Sequence, residues 1–538
     1  MNDETSPQAN FDVLVVGAGI AGLYLLYRLR AAGLRVRVLE AASGVGGTWF
    51  WNRYPGARCD VDSMHYSYSF DDSLQQEWKW TERFSSQPEI LNYLNHVADR
   101  YELRRNIQLE TRVRSAAYDE SAGLWRVETE EGETLSATFC VMATGCLSAA
   151  NKPNIAGLDG FAGEVYHTAN WPPEGVDFSG RRVGIIGTGS TAVQVIPIVA
   201  AQAAQLFVFQ RTANYVIPAR NHPLGEGEER ETKAHYDEIR AFSKTTPGNF
   251  HFAPNPVSAL ATTPAERDEI YEAAWLAGGG QFMATFGDLP FSPEANKTAQ
   301  DFVRAKIHQI VDDPDVARRL CPDTMIGCKR LSLGTDYYET YNRSNVELVD
   351  VSETPIGEIT ATGPRVGDKV YAIDALVLAT GFDAMTGSLL RIDIRGRSGR
   401  PLADKWSAGP RTYLGLMTSG FPNLFTVSGP GSPSVLSNMM PTIEQHVEWI
   451  TDCISYLRDQ GKREIDADLD YENAWVEEVN DAARKTLRYT CSSWYLGANI
   501  PGKPRVFMPY IGGVPAYNKR CAEVVAAGYE GFRTRSVD

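Results

Sequence analysis

Apolar residues fall along this chain in short β-branched runs, each followed by glycines and then by apolar positions at helical spacing. Phe11–Val16 is the first run and predicts a buried strand. Gly17-Ala18-Gly19-Ile20-Ala21-Gly22 comes next, then Leu23, Leu26, Tyr27 and Leu29 on a helix stopped by Gly33, then a second strand, Val36–Leu39, ending in Glu40. The pattern returns at Val183–Ile186, with Gly187-Thr188-Gly189-Ser190-Thr191-Ala192, a helix to about Ala204 that Pro197 should kink, and a strand Leu206–Phe209 ending in Gln210-Arg211-Thr212. Two further apolar strands, Phe139–Met142 and Leu376–Leu378, each run into Ala-Thr-Gly (143–145 and 379–381), as expected where the chain crosses between domains. Residues 221–330 lose this rhythm. Helical spacing over Glu228–Phe242, Ala265–Ala277 and Ala299–Asp312 predicts an inserted helical unit there.

Each glycine-rich turn has the parts of a dinucleotide cradle. Gly17 makes the tight turn, Gly19 lets the backbone approach a pyrophosphate, and Gly22 lets helix pack on strand; the helix N-terminus, including Ala21, supplies unpaired N–H donors. Glu40, 23 residues after Gly17, is placed to accept from ribose hydroxyls. In the second cradle a small Ala192 replaces the third glycine, and no carboxylate ends the second strand. Arg211 and Thr212 stand there instead, and an arginine suits a ribose 2′-phosphate. The competing reading of Arg211 is a solvated surface residue. Two cradles of opposite strand-end chemistry imply two dinucleotides, one of them NADP(H), and an α/β fold of two Rossmann-like domains. Gly429-Pro430-Gly431-Ser432-Pro433, after the strand Leu424–Val427, is read as a loop against the first cofactor, with a plain structural turn as the alternative.

Composition narrows the class. With 538 residues, 43% of them apolar, the chain has length for two to four domains and ample core. The formal charge of −15 argues against nucleic acid and anionic membrane as partners. The charge-free stretch 412–443 carries too many glycines and prolines for a spanning helix, and the N-terminus lacks the features of a secretion signal, so a soluble cytoplasmic protein is expected. Eight cysteines are scattered with no Cys-x-x-Cys pair, and no His-Glu-x-x-His occurs. Neither a disulfide framework, a metal site nor a dithiol reductase centre is expected.

Gly46-Gly47-Thr48-Trp49, then Trp51-Asn52-Arg53-Tyr54-Pro55-Gly56 and Asp60, resemble the N-terminal signature of type I Baeyer–Villiger monooxygenases. Residues 161–172 match that family's linker fingerprint FxGxxxHxxxW through Phe161, Gly163, His167 and Trp171. The resemblance runs from about residue 11 to Phe532 and is nearest the phenylacetone and steroid monooxygenase branch. It implies FAD on the first cradle, NADPH on the second, and O2- and NADPH-dependent conversion of ketones to esters or lactones through a C4a-peroxyflavin, with sulfoxidation as a side activity. In the matching segment Gly327-Cys328-Lys329-Arg330-Leu331 it implies that Arg330 stabilises the peroxide and the tetrahedral adduct and that Lys329 contacts the 2′-phosphate. Asp60 is implied to position Arg330 and touch the cofactors. Thr48, Trp49, Trp51, Tyr66, Val113 and Met439 are implied FAD contacts, and Trp494 a mobile-loop contact to the nicotinamide nucleotide. Read as residues alone, the Lys-Arg pair is a surface feature, Asp60 is equally a helix cap, and Trp51 and Tyr66 are packing aromatics. His167 is read as a hydrogen-bonded core histidine, with the resemblance adding an interdomain hinge.

The expected organisation is a FAD domain (1–148 and 383–538), an NADP domain (149–220, containing the linker 161–172, and 331–382) and a helical insertion (221–330) roofing the ketone pocket. Leu147, Ser434, Val435 and Leu436 are expected to line that pocket, the enzyme to act as a monomer, and a flavin-dependent N- or S-monooxygenase is the alternative activity.

Overall fold

The computed structural model describes residues 10–536. Its centre is a mixed sheet grown around the first apolar run. Phe11–Val16 lies parallel between Val36–Leu39 and Thr134–Met142, with Val13 opposite Val36 on one side and Phe139 on the other. Ile107–Gln108 extends the sheet beyond Val36–Leu39, and Leu424–Thr426 returns from the far end of the chain to pair with Cys140–Met142. An antiparallel meander of Val113–Asp119, Leu124–Thr129 and Thr134–Met142, edged by Asp393–Arg395, completes it. Val13 to Val16 are all buried, as a parallel strand covered on both faces requires.

The second cradle builds a five-stranded parallel sheet in the order Val346–Asp350, Gln205–Gln210, Arg182–Ile186, Ala375–Leu378, Glu164–His167. Its edge strand is part of the linker motif, so the segment that leaves the first domain is stitched into the second before the cradle begins. The first glycine of each cradle sits at positive φ, +105° at Gly17 and +119° at Gly187. A Cβ at Gly17 would come within 2.6 Å of the Ala143 carbonyl, and one at Gly187 would strike that of Ala379. The two Ala-Thr-Gly crossings are therefore packed directly beneath the two cradles.

The insertion is helical, with different boundaries. The expected helix over 228–242 is two, Glu226–Ala234 and Tyr236–Ser243, broken at His235. Pro264–Ala277 starts on a capping box of Thr263 and Glu266, and Pro293–Ile310 starts six residues before Ala299 because Ser292 caps it and Pro293 fits its first turn. Helix Ser190–Gln202 continues past Pro197. Packing divides the insertion between both halves: Tyr236 enters the first-cradle core, whereas Tyr271, Trp275, Phe282, Val303 and Ile307 enter that of the second sheet.

One expectation is overturned. Cys328 and Cys491 form a disulfide, with Cα atoms 5.7 Å apart across a sequence separation of 163 residues. Nothing in the spacing of the eight cysteines marks this pair, because tertiary packing alone brings its two segments together. The other six are free. Among the described residues no helix is long and apolar enough to cross a membrane, and no acidic, histidine or cysteine cluster could hold a metal ion.

Candidate active site

The first cradle closes on a second glycine pair. Gly46 N–H donates to the Ala18 carbonyl (3.0 Å), and a Cβ on Gly19 would lie 3.3 Å from Gly47 Cα. The Gly-Gly-Thr-Trp signature thus forms one wall of the cradle. Gly22 is buried where the helix meets the turn, and Ala21 is half-buried beside it. Helices Ile20–Ala31 and Ser190–Gln202 both begin on glycine N-caps without a capping side chain. Their first-turn N–H donors are left for an anion, which is the donor set a pyrophosphate needs. Glu40 is only 5% exposed, and its carboxylate accepts from Ala18 N–H (2.6 Å) and Ala42 N–H (2.8 Å). Burial raises its pKa while these hydrogen bonds oppose the rise. It braces the turn, and each oxygen keeps a further lone pair for a ribose hydroxyl. Thr111 N–H binds the Glu40 carbonyl, bringing the strand that starts at Val113 to the same end of the cradle.

Trp49 is buried and donates its indole N–H to the Tyr66 hydroxyl (3.2 Å), their rings edge to face. Thr48 is exposed at the start of the short helix Thr48–Trp51, and Trp51 is half-buried against Phe50. Met439 begins helix Met439–Asp459 and packs against both the first-cradle core and a separate apolar cluster. That cluster joins Leu147, Val435, Leu436 and Trp494 with Cys146, Tyr495, Leu496, Phe507 and Met508. The last four were not foreseen, since 495–508 carries no motif and only long-range packing delivers it here; Cys146 was not foreseen either. Ser434 is fully buried at φ +41°, its hydroxyl toward Met385 Sδ (3.9 Å), so its contribution is to shape the loop.

In the second cradle Thr188 is buried and donates to the Thr212 carbonyl (2.7 Å), fixing the strand end, while Ser190 meets Ser332 through their hydroxyls (3.0 Å). Gly189 and Ser190 are exposed and Thr191 half-buried at the helix start. Arg211 and Thr212 are exposed. Burial lowers the pKa of the Lys329 ammonium, and the nearby charge of Arg211 lowers it further. Two mutually repelling cations mark a place that an anion would stabilise, as a 2′-phosphate does. The residues present therefore fit FAD on one side and NADP(H) on the other.

The cradles meet at Arg330. Its Nε and Nη2 donate to the two oxygens of Asp60 (2.5 and 2.8 Å), and Nη1 donates to the carbonyls of Val435 (3.1 Å) and Ser437 (3.4 Å). Burial alone would lower the guanidinium pKa, but the charge and hydrogen bonds of Asp60 raise it further, so the group stays charged. Asp60 spends both oxygens on this fork and is not a helix cap. The Tyr54 hydroxyl donates to Gln194 of the second-cradle helix (2.8 Å), and Gln194 donates to the Arg58 carbonyl (3.1 Å), so the segment carrying Asp60 is seated on that helix. His167 accepts from Ala169 N–H at Nδ1 (3.1 Å) and turns Nε2 to the Asn151 carbonyl and the Thr380 hydroxyl (3.3 Å each). Thr380 in turn donates to the Asn151 carbonyl (2.6 Å), so His167 fastens the outgoing and returning crossings together. Trp171 is buried with Phe178 and Tyr166 as an apolar anchor of the same sheet.

Comparison with known proteins agrees with this arrangement. A family described as pyridine nucleotide-disulphide oxidoreductase matches residues 14–237, the part holding both cradles. A Baeyer-Villiger monooxygenase of Pseudooceanicola batsensis is 45% identical over 97% of this chain and 96% of its own. Phenazine N-monooxygenase PhzNO1 of Lysobacter antibioticus is 43% identical over 99% of this chain and 97% of its own. The solved structure of an oxidized steroid monooxygenase bound to NADP superimposes with a TM-score of 0.94 at 52% identity, covering 98% of this chain and all of that one. With a likeness that spans both cradles, the linker and the arginine segment end to end, the chain belongs to the Baeyer–Villiger monooxygenases.

Proposed function

We propose that this protein uses NADPH and O2 to oxidise ketones to esters or lactones, with FAD held by Gly17–Gly22, Glu40, the 46–51 wall, Tyr66, Val113 and Met439. NADP(H) is held by Gly187–Thr191, Arg211, Thr212, Lys329 and Trp494. Bound FAD supplies the redox chemistry, taking electrons from NADPH and passing them to O2. The protein's part is electrostatic and steric. Arg330 stabilises the negative charge that develops on the ketone oxygen. It cannot give up its proton, and a fixed unit charge at about 4 Å is worth about 4 kcal/mol at an effective dielectric of 20. Asp60 holds its fork in one orientation, which spares reorganisation as the charge appears. Leu147, Val435, Leu436 and the cluster around Tyr495 keep water from that charge.

The observation that carries this reading is the Arg330–Asp60 fork, which ties the arginine segment to the 54–60 segment seated on the second-cradle helix. We place the enzyme in the cytoplasm as a monomer, a setting consistent with its strong acidity. The N-monooxygenase relative makes N-oxidation the competing reading. Purified holoprotein is incubated with NADPH, air and phenylacetone, and benzyl acetate is measured by gas chromatography beside NADPH consumption, with phenazine in parallel. Ester forming in step with NADPH use, and lost in Arg330→Ala, is the expected result. N-oxide formation that survives Arg330→Ala, with no ester from aryl, cyclic or steroid ketones, would replace it.

A further inference from the structure

Cys328 and Cys491 take no part in the reaction just described, yet their bond joins the segment of Lys329 and Arg330 to the segment of Trp494. Cys328 is buried immediately before Lys329 and Arg330. Cys491 is half-buried three residues before Trp494, on a run of short turns, Leu487–Thr490 and Trp494–Leu496, with no long helix or strand to hold it. Apart from the bond, Arg488 Nε donates to the Gly327 carbonyl (2.9 Å), and the buried Tyr495 is hydrogen-bonded to the Arg330 backbone. Leu487 N–H binds the Pro290 carbonyl (2.9 Å) at its start. Met283, Met325, Gly327, Leu487, Arg488 and both cysteines line a small recess open to solvent beside the sulfurs.

We propose that Cys328 and Cys491 are a redox modification site whose oxidation latches the 487–500 segment onto the arginine segment and traps the nicotinamide nucleotide. The proposal rests on the reading above in one respect: Lys329 and Trp494 both contact that nucleotide. Bonding their near neighbours then fixes the two sides of its site at one separation. The reduced pair leaves the hydrogen bonds of Arg488 and Tyr495 and apolar packing to hold the two sides together, with no covalent limit on their separation.

The oxidant is hydrogen peroxide, which the enzyme itself makes when NADPH oxidation runs without ketone (NADPH + H⁺ + O2 → NADP⁺ + H2O2). One thiolate attacks peroxide to give a sulfenic acid and, with one proton, water; the second thiol displaces the sulfenic hydroxyl, forming the S–S bond and a second water. The pair loses two electrons and peroxide gains them. A dithiol reverses the step by exchange, leaving as its own disulfide. Arg488 lines the same recess as both sulfurs, and a cation there favours the thiolate on which both directions depend. In a reducing cytoplasm the latch rests open and closes under peroxide load, slowing futile turnover.

The test uses the FAD-loaded enzyme after a phosphine reductant or after stoichiometric peroxide. Alkylation in denaturant should count eight thiols in the reduced form and six in the oxidised form, with a 328–491 linked peptide in the non-reducing digest. Dissociation of NADP⁺, followed by displacement in a stopped-flow instrument, should be at least about five-fold slower in the oxidised form. Cys491→Ser, or Cys491→Ala should the serine variant fold poorly, should match the reduced enzyme and ignore peroxide. Eight thiols after peroxide, or equal NADP⁺ dissociation in the two states, would overturn the latch. These readouts decide it whether or not ester forms, and the ester assay on reduced enzyme separately decides the reading on which it rests.

Discussion

Arg330 gives Nε and Nη2 to one carboxylate and Nη1 to two main-chain carbonyls, leaving one Nη2 proton for a substrate oxygen. A lysine there would keep the charge but lose the fork, because an ammonium cannot span both oxygens of Asp60 and still reach Val435. Arg330→Lys should therefore reduce ester formation by about 10²–10³-fold, the size of effect seen when a preorganised donor to a developing oxyanion is removed. Flavin reduction by NADPH, followed at the flavin absorbance without ketone, should change by less than about three-fold. An equal loss in both would show that the arginine serves nucleotide binding instead. Arg211 and Lys329 make a separable case, since burial and the charge of Arg211 both act against the Lys329 ammonium and a phosphate beside them would offset this. Arg211→Ala should raise KM for NADPH by at least about ten-fold and leave KM for NADH nearly unchanged. Equal rises would place the 2′-phosphate elsewhere. Arg211 was legible in the sequence because it replaces a carboxylate at a fixed offset in a repeated pattern. Arg330 was not legible without the family resemblance, because a Lys-Arg pair acquires its meaning from Asp60, which is 270 residues away.

Elements whose signal is local were readable: both cradles, their strands and the helical character of 221–330. What failed was set by single side chains or by distance. The helix capped by Thr263 begins within one residue of where apolar spacing starts it, whereas the one capped by Ser292 begins six residues earlier than expected. The partners of the Gly-Pro-Gly loop are likewise set by distance. Residues 429–433 are wholly buried and held by partners from remote segments, Thr412 donating to the Pro430 carbonyl (2.6 Å) and the Trp475 indole to that of Gly431 (3.1 Å). Its entry is fixed by His446 on helix Met439–Asp459, which accepts Ser428 N–H at Nδ1 (2.9 Å) and pairs Nε2 with the Tyr517 hydroxyl (2.9 Å). Tyr517 already donates to the Leu414 carbonyl (2.7 Å), so Nε2 carries the proton and the imidazole must be neutral. Burial pushes its pKa down to about 3. Below its unfolded value near 6.5 the unfolded chain binds a proton that the folded one refuses, so this group costs stability as pH falls, up to about 1.4 kcal/mol per pH unit. Urea unfolding between pH 7 and pH 4.5 should show that slope added to those of other groups, and His446→Gln, though less stable at pH 7, should lose it. An unchanged slope would mean that the loop opens to let the histidine protonate.

At the scale of the whole molecule, the geometry to be maintained is the meeting of two domains that the chain enters and leaves twice. The first crossing passes Asn151, the return passes Thr380, and His167 stands on the edge strand that pairs with Ala375–Leu378 just before the return. Burial lowers its pKa, which keeps the ring neutral and Nδ1 free to accept Ala169 N–H. The residue touches neither the Arg330 fork nor either cradle, so its effect has to pass through the relative placement of the domains. His167→Ala removes hydrogen bonds worth about 0.5–1.5 kcal/mol each, too little to unfold a chain with two large cores. The expected result is a protein folded at 25 °C, with NADPH oxidation within about three-fold of the unsubstituted rate but several-fold more hydrogen peroxide per NADPH and correspondingly less ester. His167→Gln, whose amide can still reach the Asn151 carbonyl, should recover part of the coupling. Loss of NADPH oxidation itself in His167→Ala would mean that the histidine sets how NADPH binds. Unchanged coupling in both variants would confine it to packing the linker strand.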